Sequence, residues 1–181
     1  LIHSNASEIM NLEKLIPGVP DFPKPGILFR DISPLLANAE AFRYAIESLG
    51  KLSHDYAFTT VLGIESRGFI FASALAHHLN KGLILVRKPN KLPTETHQES
   101  YGLEYGSDML EISKHILTSK DSVLIVDDVL ATGGTLAAAS RLVQKTGAAV
   151  AGAICLLEIN GLDGAQRLDD LRIPNRCLLK L

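Results

Sequence analysis

The 181-residue chain contains no tryptophan, only two cysteines and two methionines, and only 6% aromatic residues. The two cysteines, Cys155 and Cys177, stand in apolar segments and lack C-x-x-C spacing, which argues against a disulfide framework and predicts a reducing compartment. No apolar run approaches the roughly 20 residues that a membrane-spanning helix needs. A basic excess is also missing, because the net charge is −2, and this argues against binding to nucleic acid through bulk electrostatics. With no recognisable signal peptide, we expect a cytoplasmic protein with neither nucleic-acid nor membrane partners.

What the chain does contain is the composition of an ordinary globular protein, with 46% hydrophobic and 21% charged residues. Its length suits one domain, 1–181, which buries roughly 70% of the surface that the unfolded chain exposes. The segment 17–34 holds five prolines and is expected to be loop or extended chain. Helices are predicted on either side of it, ending at Leu15 and spanning 38–52.

The rest of the chain alternates continuously apolar strands with helices. Strands are predicted at 59–64, 82–86, 122–126 and 148–157, and helices at 68–79 and 135–145. Continuously apolar strands separated by helices predict an α/β fold with a mainly parallel sheet covered on both faces. Ligands of such sheets bind at the carboxyl ends of the strands.

The strand 123–126 leads into the most informative segment, Asp127-Asp128-Val129-Leu130-Ala131-Thr132-Gly133-Gly134-Thr135. The start of the following helix offers N–H groups and a positive dipole, and the glycines let the backbone close around a phosphate. Asp127 and Asp128 accept hydrogen bonds when ionised and so suit the paired hydroxyls of a ribose. A Walker A loop is disfavoured because Gly134, rather than lysine, precedes Thr135. The plainer alternative is an ordinary turn whose acids cap the helix.

A second strand end concentrates positive charge. The charged residues between positions 63 and 92 are Glu65, Arg67, Lys81, Arg87, Lys88 and Lys91. Arg67, Arg87 and Lys88 are suited to holding a diphosphate, whereas Lys81 is expected to be solvated surface. The alternative for the whole group is exposed surface charge.

The stretch 90–106 is long for a loop in a compact domain and rich in polar groups. Taken alone it is interpreted as mobile surface, although its polar groups could close over a bound substrate. The histidines show no zinc-site spacing, and no Ser-His-Asp or Cys-His arrangement is recognisable.

The segment 123–135 resembles the ribose-5-phosphate loop of the type I phosphoribosyltransferases, and the resemblance extends from about Pro20 to about Ile159. The segment 22–32, Phe-Pro-Lys-Pro-Gly-Ile-Leu-Phe-Arg-Asp-Ile, resembles the hood over the base in members that use adenine. Gly63-Ile64-Glu65-Ser66-Arg67-Gly68-Phe69 resembles their diphosphate loop, and Arg87-Lys88, Lys91-Leu92-Pro93 and 101–106 resemble their flexible catalytic loop. The implied fold is a type I phosphoribosyltransferase core with a small hood at 17–34 and a flexible loop at 90–106.

The resemblance assigns candidate site residues. It implies catalytic roles for Glu104, Arg67 and Tyr105, with Glu104 as the acid or base. It implies ribose binding by Asp127 and Asp128. The implied 5′-phosphate site is Ala131, Thr132, Gly133, Gly134 and Thr135. The implied diphosphate site is Glu65, Ser66, Arg67, Arg87, Lys88 and Lys91, with a cis peptide between Glu65 and Ser66. The implied adenine site is Leu28, Phe29, Arg30 and Ile159, with the base between Phe29 and Ile159.

The implied reaction is transfer of the 5-phosphoribosyl group from 5-phosphoribosyl-1-diphosphate (PRPP) to adenine, giving AMP and diphosphate in purine salvage. Mg²⁺ is the implied cofactor, held by substrate and water with no direct protein ligand expected, and a homodimer is the implied assembly. Two other interpretations remain open at this point. One is a regulator on the same fold that binds PRPP without turnover, and the other is a related enzyme acting on xanthine, hypoxanthine or orotate.

Overall fold

The computed structural model describes residues 10–102 and 107–181, and the chain forms two compact units, 1–45 and 46–181. In the first unit a 3₁₀ helix, Leu12–Leu15, is capped by the Asn11 side chain. It corresponds to the end of the helix predicted to finish at Leu15, whose predicted start lies outside the described residues.

The proline-rich part of the first unit is an antiparallel pair of short strands, β1 (Gly18–Pro20) and β2 (Leu28–Arg30). The ring edge of Phe22 packs on the ring of Phe29, with centroids 5.1 Å apart. Helix α1 (Ser33–Ala37) begins with a proline in its first turn, where a missing N–H is tolerated. Helix α2 (Ala39–Leu52) follows and continues past residue 45.

The second unit contains a five-stranded sheet in the order β4-β3-β7-β8-β9, with every neighbouring pair parallel. Its elements are β3 (Thr60–Ile64), α3 (Gly68–His78), β4 (Gly82–Val86), β5 (Thr96–Gly102), β6 (Ser107–Ser113), β7 (Ser122–Leu130), α4 (Gly134–Lys145), β8 (Ala149–Glu158), α5 (Gly164–Asp170) and β9 (Asn175–Lys180). The predicted α/β class and parallel sheet are confirmed. Among the described residues, no helix has the length and apolar character needed to cross a bilayer.

The central strands β3, β7 and β8 are largely buried, whereas the outer strands β4 and β9 are partly exposed. Every residue of β3 is buried, as are residues 123–126 of β7, which explains their unbroken hydrophobic character. Helix α4 buries most of its length, including Leu136, Leu142 and Val143.

Several elements differ from the sequence-based prediction, which also did not include α5 and β9. Strand β7 continues to Leu130 because it stays paired with β8 as far as Leu130 opposite Glu158. Residues 96–102, predicted as part of one long loop, instead form β5, which pairs with β6 in an antiparallel hairpin. The sequence of β5 does not show the usual alternation of apolar and polar residues, because the inward-facing Glu99 is polar and pairs with cations of α4.

Candidate active site

Three strand ends carry the predicted site residues to one edge of the sheet. Strands β4, β3 and β7 are parallel neighbours, so the segments that follow Ile64, Val86 and Leu130 leave the sheet on the same side. This is the edge at which parallel α/β sheets bind ligands. The arrangement therefore brings the cationic segment, the paired carboxylates and the glycine loop together.

Two of the cations after β4, Arg87 and Lys91, bind one carboxylate, Glu65, which also accepts from the Lys88 backbone. Glu65 Oε2 accepts hydrogen bonds from Arg87 Nε at 3.2 Å and from the Lys88 N–H at 2.9 Å, while Oε1 accepts from Lys91 Nζ at 2.5 Å. Only 9% of the Glu65 side chain is exposed. Burial opposes its ionisation, but the bonds from Lys91, Lys88 and Arg87 prevail and lower the pKa of Glu65 to about 2. An ionised glutamate at the end of β3 thus holds the side chains of Arg87 and Lys91, two of the predicted diphosphate residues.

The loop between β3 and α3 reaches the carboxylates of β7. The Glu65–Ser66 peptide is cis, as the family resemblance implies. Arg67 follows it, and its Nε lies 2.8 Å from Asp128 Oδ2. At the start of α3, a Cβ on Gly68 would lie only 2.7 Å from Asp127 Oδ1, so no side chain fits there. The cationic loop and the paired acids are therefore in direct contact.

Asp127 and Asp128 stand where ionisation is unfavourable. Burial, and then the charge of Asp128, raises the pKa of Asp127 well above its ordinary value. Burial also raises the pKa of Asp128, although the Arg67 guanidinium opposes this. The Asp128 N–H donates to Asp127 Oδ1 at 2.9 Å. Asp128 Oδ2 forms the ion pair with Arg67 but, among the described residues, accepts no hydrogen bond of good geometry. Adjacent carboxylates of this kind are suited to a ligand that brings hydroxyl donors.

The glycine loop after β7 forms a small cavity of about 60 Å³ at the start of α4. Residues 129–136 line it, and Gly133 has a φ of +76° that favours glycine. Within the described part of the chain, the N–H groups of Thr132 and Gly133 donate to no protein acceptor. Together with the free N–H groups in the first turn of α4, they make an anion site.

Tyr101 of β5 connects this cavity to the cationic segment. Its ring carbon Cδ2 lies 3.8 Å from the Cβ position of Gly134, and its hydroxyl accepts a hydrogen bond from Lys88 Nζ at 2.8 Å. The same hydroxyl donates to Asp108 Oδ2 at 2.9 Å, and Lys88 Nζ pairs with that carboxylate. Tyr101 is buried, although the sequence placed it in a loop.

The remaining predicted residues are those assigned to adenine and the catalytic candidates of the segment 103–106. Leu28, Phe29 and Arg30 form β2 in the first unit. Ile159 follows β8 in the second unit, and its N–H donates to the carbonyl of Leu130. The candidate catalytic residues Glu104 and Tyr105 lie outside the described residues.

Sequence reasoning missed two residues near the site. Asp108 escaped notice because a single acid at the start of β6 has no distinguishing pattern. Arg167 of α5 has its Nη1 3.7 Å from the Cβ position of Gly134, although the two residues are far apart along the chain. Only the three-dimensional packing of α5 reveals this proximity.

The donor set available to a metal is limited. Within residues 10–102 and 107–181, no group of three or more His, Cys, Asp or Glu side chains is arranged to hold a metal ion. Asp127 and Asp128 are adjacent carboxylates at the end of β7, where burial opposes their ionisation. Mg²⁺ keeps several waters and binds substrate phosphates, so a magnesium ion that arrives with a phosphorylated substrate needs no dedicated protein ligand here.

Comparison with known proteins places this arrangement in a family. Residues 32–178 match the family model of the phosphoribosyl transferase domain. The chain is 58% identical over 171 residues to the adenine phosphoribosyltransferase of Polynucleobacter asymbioticus, covering 94% of this chain and 99% of that protein. It superposes on the adenine phosphoribosyltransferase of Thermoanaerobacter pseudethanolicus with a TM-score of 0.90 and 45% identity, covering 94% of this chain and 98% of that one. It also resembles the enzyme from Saccharomyces cerevisiae complexed with adenine and an imino-altritol bisphosphate, with a TM-score of 0.85, 37% identity and coverage of 93% and 96%.

Proposed function

The chain belongs to the phosphoribosyltransferase family and transfers the 5-phosphoribosyl group of PRPP to adenine in purine salvage, and we propose that the sheet edge described above is its active site. One observation carries the site assignment. Three neighbouring strand ends supply a glycine loop for a phosphate, paired carboxylates for a ribose and a cationic cluster for a diphosphate. These are the parts of PRPP, in one continuous arrangement.

The glycine loop binds the 5′-phosphate through N–H groups and hydroxyls of residues 131–135. Because Thr132 and Gly133 have N–H groups without protein acceptors, the loop needs little rearrangement to receive an anion. Asp127 and Asp128 accept hydrogen bonds from the ribose hydroxyls and fix the sugar ring relative to that phosphate. Two fixed points orient the anomeric carbon for attack.

The diphosphate site of this proposal comprises Glu65, Ser66, Arg67, Arg87, Lys88 and Lys91. Displacement at the anomeric carbon builds positive charge on the ribose and negative charge on the diphosphate, so carboxylates on one side and cations on the other stabilise the transition state. Glu65 orients Arg87 and Lys91 through the hydrogen bonds described above. Mg²⁺, when bound with the substrate, would neutralise diphosphate charge and would be held by substrate and water, with no direct protein ligand.

The residues assigned to adenine are Leu28, Phe29, Arg30 and Ile159, as the family resemblance implies. Backbone groups of Leu28 and Arg30 recognise the exocyclic amine of adenine. This selects against 6-oxopurines, because the 6-oxo group of such a base would face a backbone carbonyl of the protein. Glu104 accepts or shares a proton of the base, and Tyr105 and Arg67 complete the catalytic group.

The protein acts as a cytoplasmic homodimer in this proposal. Both cysteines are free thiols, which suits a reducing compartment, and the dimer follows from the family resemblance. Light scattering on the purified protein measures the mass of the assembly, and cell fractionation measures the location.

AMP formation tests the proposal. Purified protein is incubated with PRPP and Mg²⁺ and either adenine or hypoxanthine. AMP without IMP is the expected result. IMP in place of AMP would overturn the base site while leaving the PRPP site, and omission of Mg²⁺ should abolish turnover if the cofactor assignment is right.

A further inference from the structure

Helix α5 packs directly against the glycine loop that follows β7. A Cβ on Gly164 would lie 2.1 Å from the carbonyl oxygen of Ala131 and 2.8 Å from a methyl carbon of Leu130. From the other side, a Cβ on Gly133 would lie 2.9 Å from the carbonyl oxygen of Gly164. Glycine at positions 133 and 164 therefore allows the backbones of the loop and of α5 to come into contact.

This contact places the Arg167 side chain beside the cavity. Arg167 lies one turn after Gly164, with its Cδ 3.5 Å from the Cβ position of Gly133 and its Nη1 3.7 Å from that of Gly134. The side chain is exposed. Within residues 10–102 and 107–181, Arg167 forms no ion pair with a carboxylate. Its guanidinium thus lies beside the start of α4 and, among the described residues, retains its hydrogen-bonding capacity.

The glycine loop lacks a cation of its own. No charged side chain occurs among the cavity residues 129–136, and the preceding residues, Asp127 and Asp128, are acidic. A phosphate monoester carries close to two negative charges at pH 7, and N–H groups alone balance them incompletely. Arginine pairs with phosphate through two parallel N–H donors, which lysine cannot reproduce.

We propose that Arg167 is a further substrate-binding residue, whose guanidinium donates to the 5′-phosphate of PRPP and AMP bound at the loop N–H groups. This inference rests on the proposed function of the site and adds to it a residue from α5. It makes α5, and not only the loop after β7, part of the phosphate site.

The test measures ligand affinity directly by isothermal titration calorimetry in Arg167→Gln and Arg167→Lys. A charge-assisted hydrogen bond predicts that ribose 5-phosphate and AMP bind about 10- to 100-fold more weakly to Arg167→Gln, with a smaller loss in Arg167→Lys. Affinity for diphosphate, which lacks the ribose-linked phosphate, should change less than about 2-fold. Lys120→Gln is the matched control, because it removes one exposed positive charge before β7, at the opposite end of that strand from the glycine loop.

Each result has a defined meaning. Unchanged affinity for ribose 5-phosphate in Arg167→Gln, or an equal loss of affinity for diphosphate, would overturn the role of Arg167. If the wild-type protein forms AMP but Arg167→Gln binds ribose 5-phosphate as tightly as the wild type does, this inference alone is overturned. A wild-type protein that forms no AMP but binds ribose 5-phosphate through Arg167 overturns the proposed function and keeps this inference. Thermal melting verifies that the variants are folded. If Arg167→Gln does not fold, the affinity of Arg167→Lys for ribose 5-phosphate decides the test.

Discussion

Arg67 Nε lies 2.8 Å from Asp128 Oδ2, so the loop after β3 and the carboxylates of β7 form one electrostatic unit. Asp128 is almost fully buried, with 7% of its side chain exposed, whereas 37% of Arg67 is exposed. The Asp128 carboxylate is thus fixed on strand β7, whereas the Arg67 guanidinium remains accessible at the carboxyl end of the sheet. Residues assigned to the ribose and to the diphosphate therefore influence each other before any ligand binds.

The double variant Asp127→Ala, Asp128→Ala should lower turnover at least ~100-fold, because the contacts that orient the ribose are lost where geometry decides the rate. Initial rates of AMP formation at saturating PRPP measure this loss. A near-normal rate would contradict the ribose assignment. Asp170→Asn, which changes an exposed acid of α5, serves as the control and should keep its activity.

The single variant Asp127→Asn should be inactive yet more stable than the wild type at neutral pH. Since folding raises the pKa of Asp127, the folded state binds more protons than the unfolded state above the ordinary value of 3.8. The free energy of unfolding therefore falls as pH rises through the raised pKa, and an uncharged amide removes this penalty. Asparagine still accepts from the Asp128 N–H through its own Oδ1.

Melting temperatures at pH 5 and pH 8 measure this effect. Each kcal/mol gained corresponds to a rise of about 2–4 °C in a chain of this size, and the gain should be larger at pH 8. Such a result would mean that the site sacrifices stability for function. A melting temperature below that of the wild type at both pH values would contradict the assignment of an ionisation penalty to Asp127.

Much of this fold could be predicted because the parallel strands carry a local signal. Strand β3 and residues 123–126 of β7 are continuously apolar and buried, and each is followed by glycine at the start of a helix. The glycine loop was recognisable for the same reason, since its residues are consecutive in the chain. Strand β9 was missed because its burial is only partial and its sequence, Asn-Arg-Cys-Leu-Leu-Lys, has no clear period.

The parts of the site that the sequence did not predict depend on distant contacts. The cluster of cations on Glu65 requires the pairing of β3 with β4, which brings residues 65 and 87–91 together. Arg167 enters the site only because Gly164 allows α5 to approach Ala131. Periodicity and spacing describe one segment at a time, so they cannot reveal which residues meet across a close backbone contact.

Glu65→Gln should destabilise the protein at pH 7 by at least about 1 kcal/mol, because a buried carboxylate that accepts charged hydrogen bonds is replaced by a neutral amide. The pKa of Glu65 is lowered from 4.5 to about 2, so its contribution is complete above about pH 4.5 and disappears as pH falls through about 2. The difference in the free energy of unfolding between wild type and variant should therefore shrink between these two pH values.

Urea unfolding at pH 7, 4 and 3 measures that difference. Glu95→Gln is the matched control, since Glu95 pairs with Lys114 on the exposed surface and such pairs contribute little. An equal effect of the two substitutions would argue against a special role for Glu65.

Gly164→Ala should weaken PRPP binding and destabilise the fold together, because the new Cβ would lie 2.1 Å from the Ala131 carbonyl and force α5 away from the loop. Overpacking of this kind costs about 1–3 kcal/mol. The control is Gly147→Ala, where φ is +88° and no atom lies within 4 Å of the new Cβ. That variant is strained at the opposite end of α4, so it should lose stability without a change in the KM for PRPP.

Glu104→Ala should lower kcat more than it raises the KM for adenine, because a residue that handles a proton of the base acts mainly in the transition state. Steady-state kinetics with adenine as the varied substrate separate the two constants, and Glu95→Gln again controls for loss of one negative charge. A change in KM alone, with kcat preserved, would demote Glu104 to a binding residue. Partial recovery of kcat at higher pH in the alanine variant would point instead to solvent hydroxide replacing the missing base, and would keep the proton-transfer role.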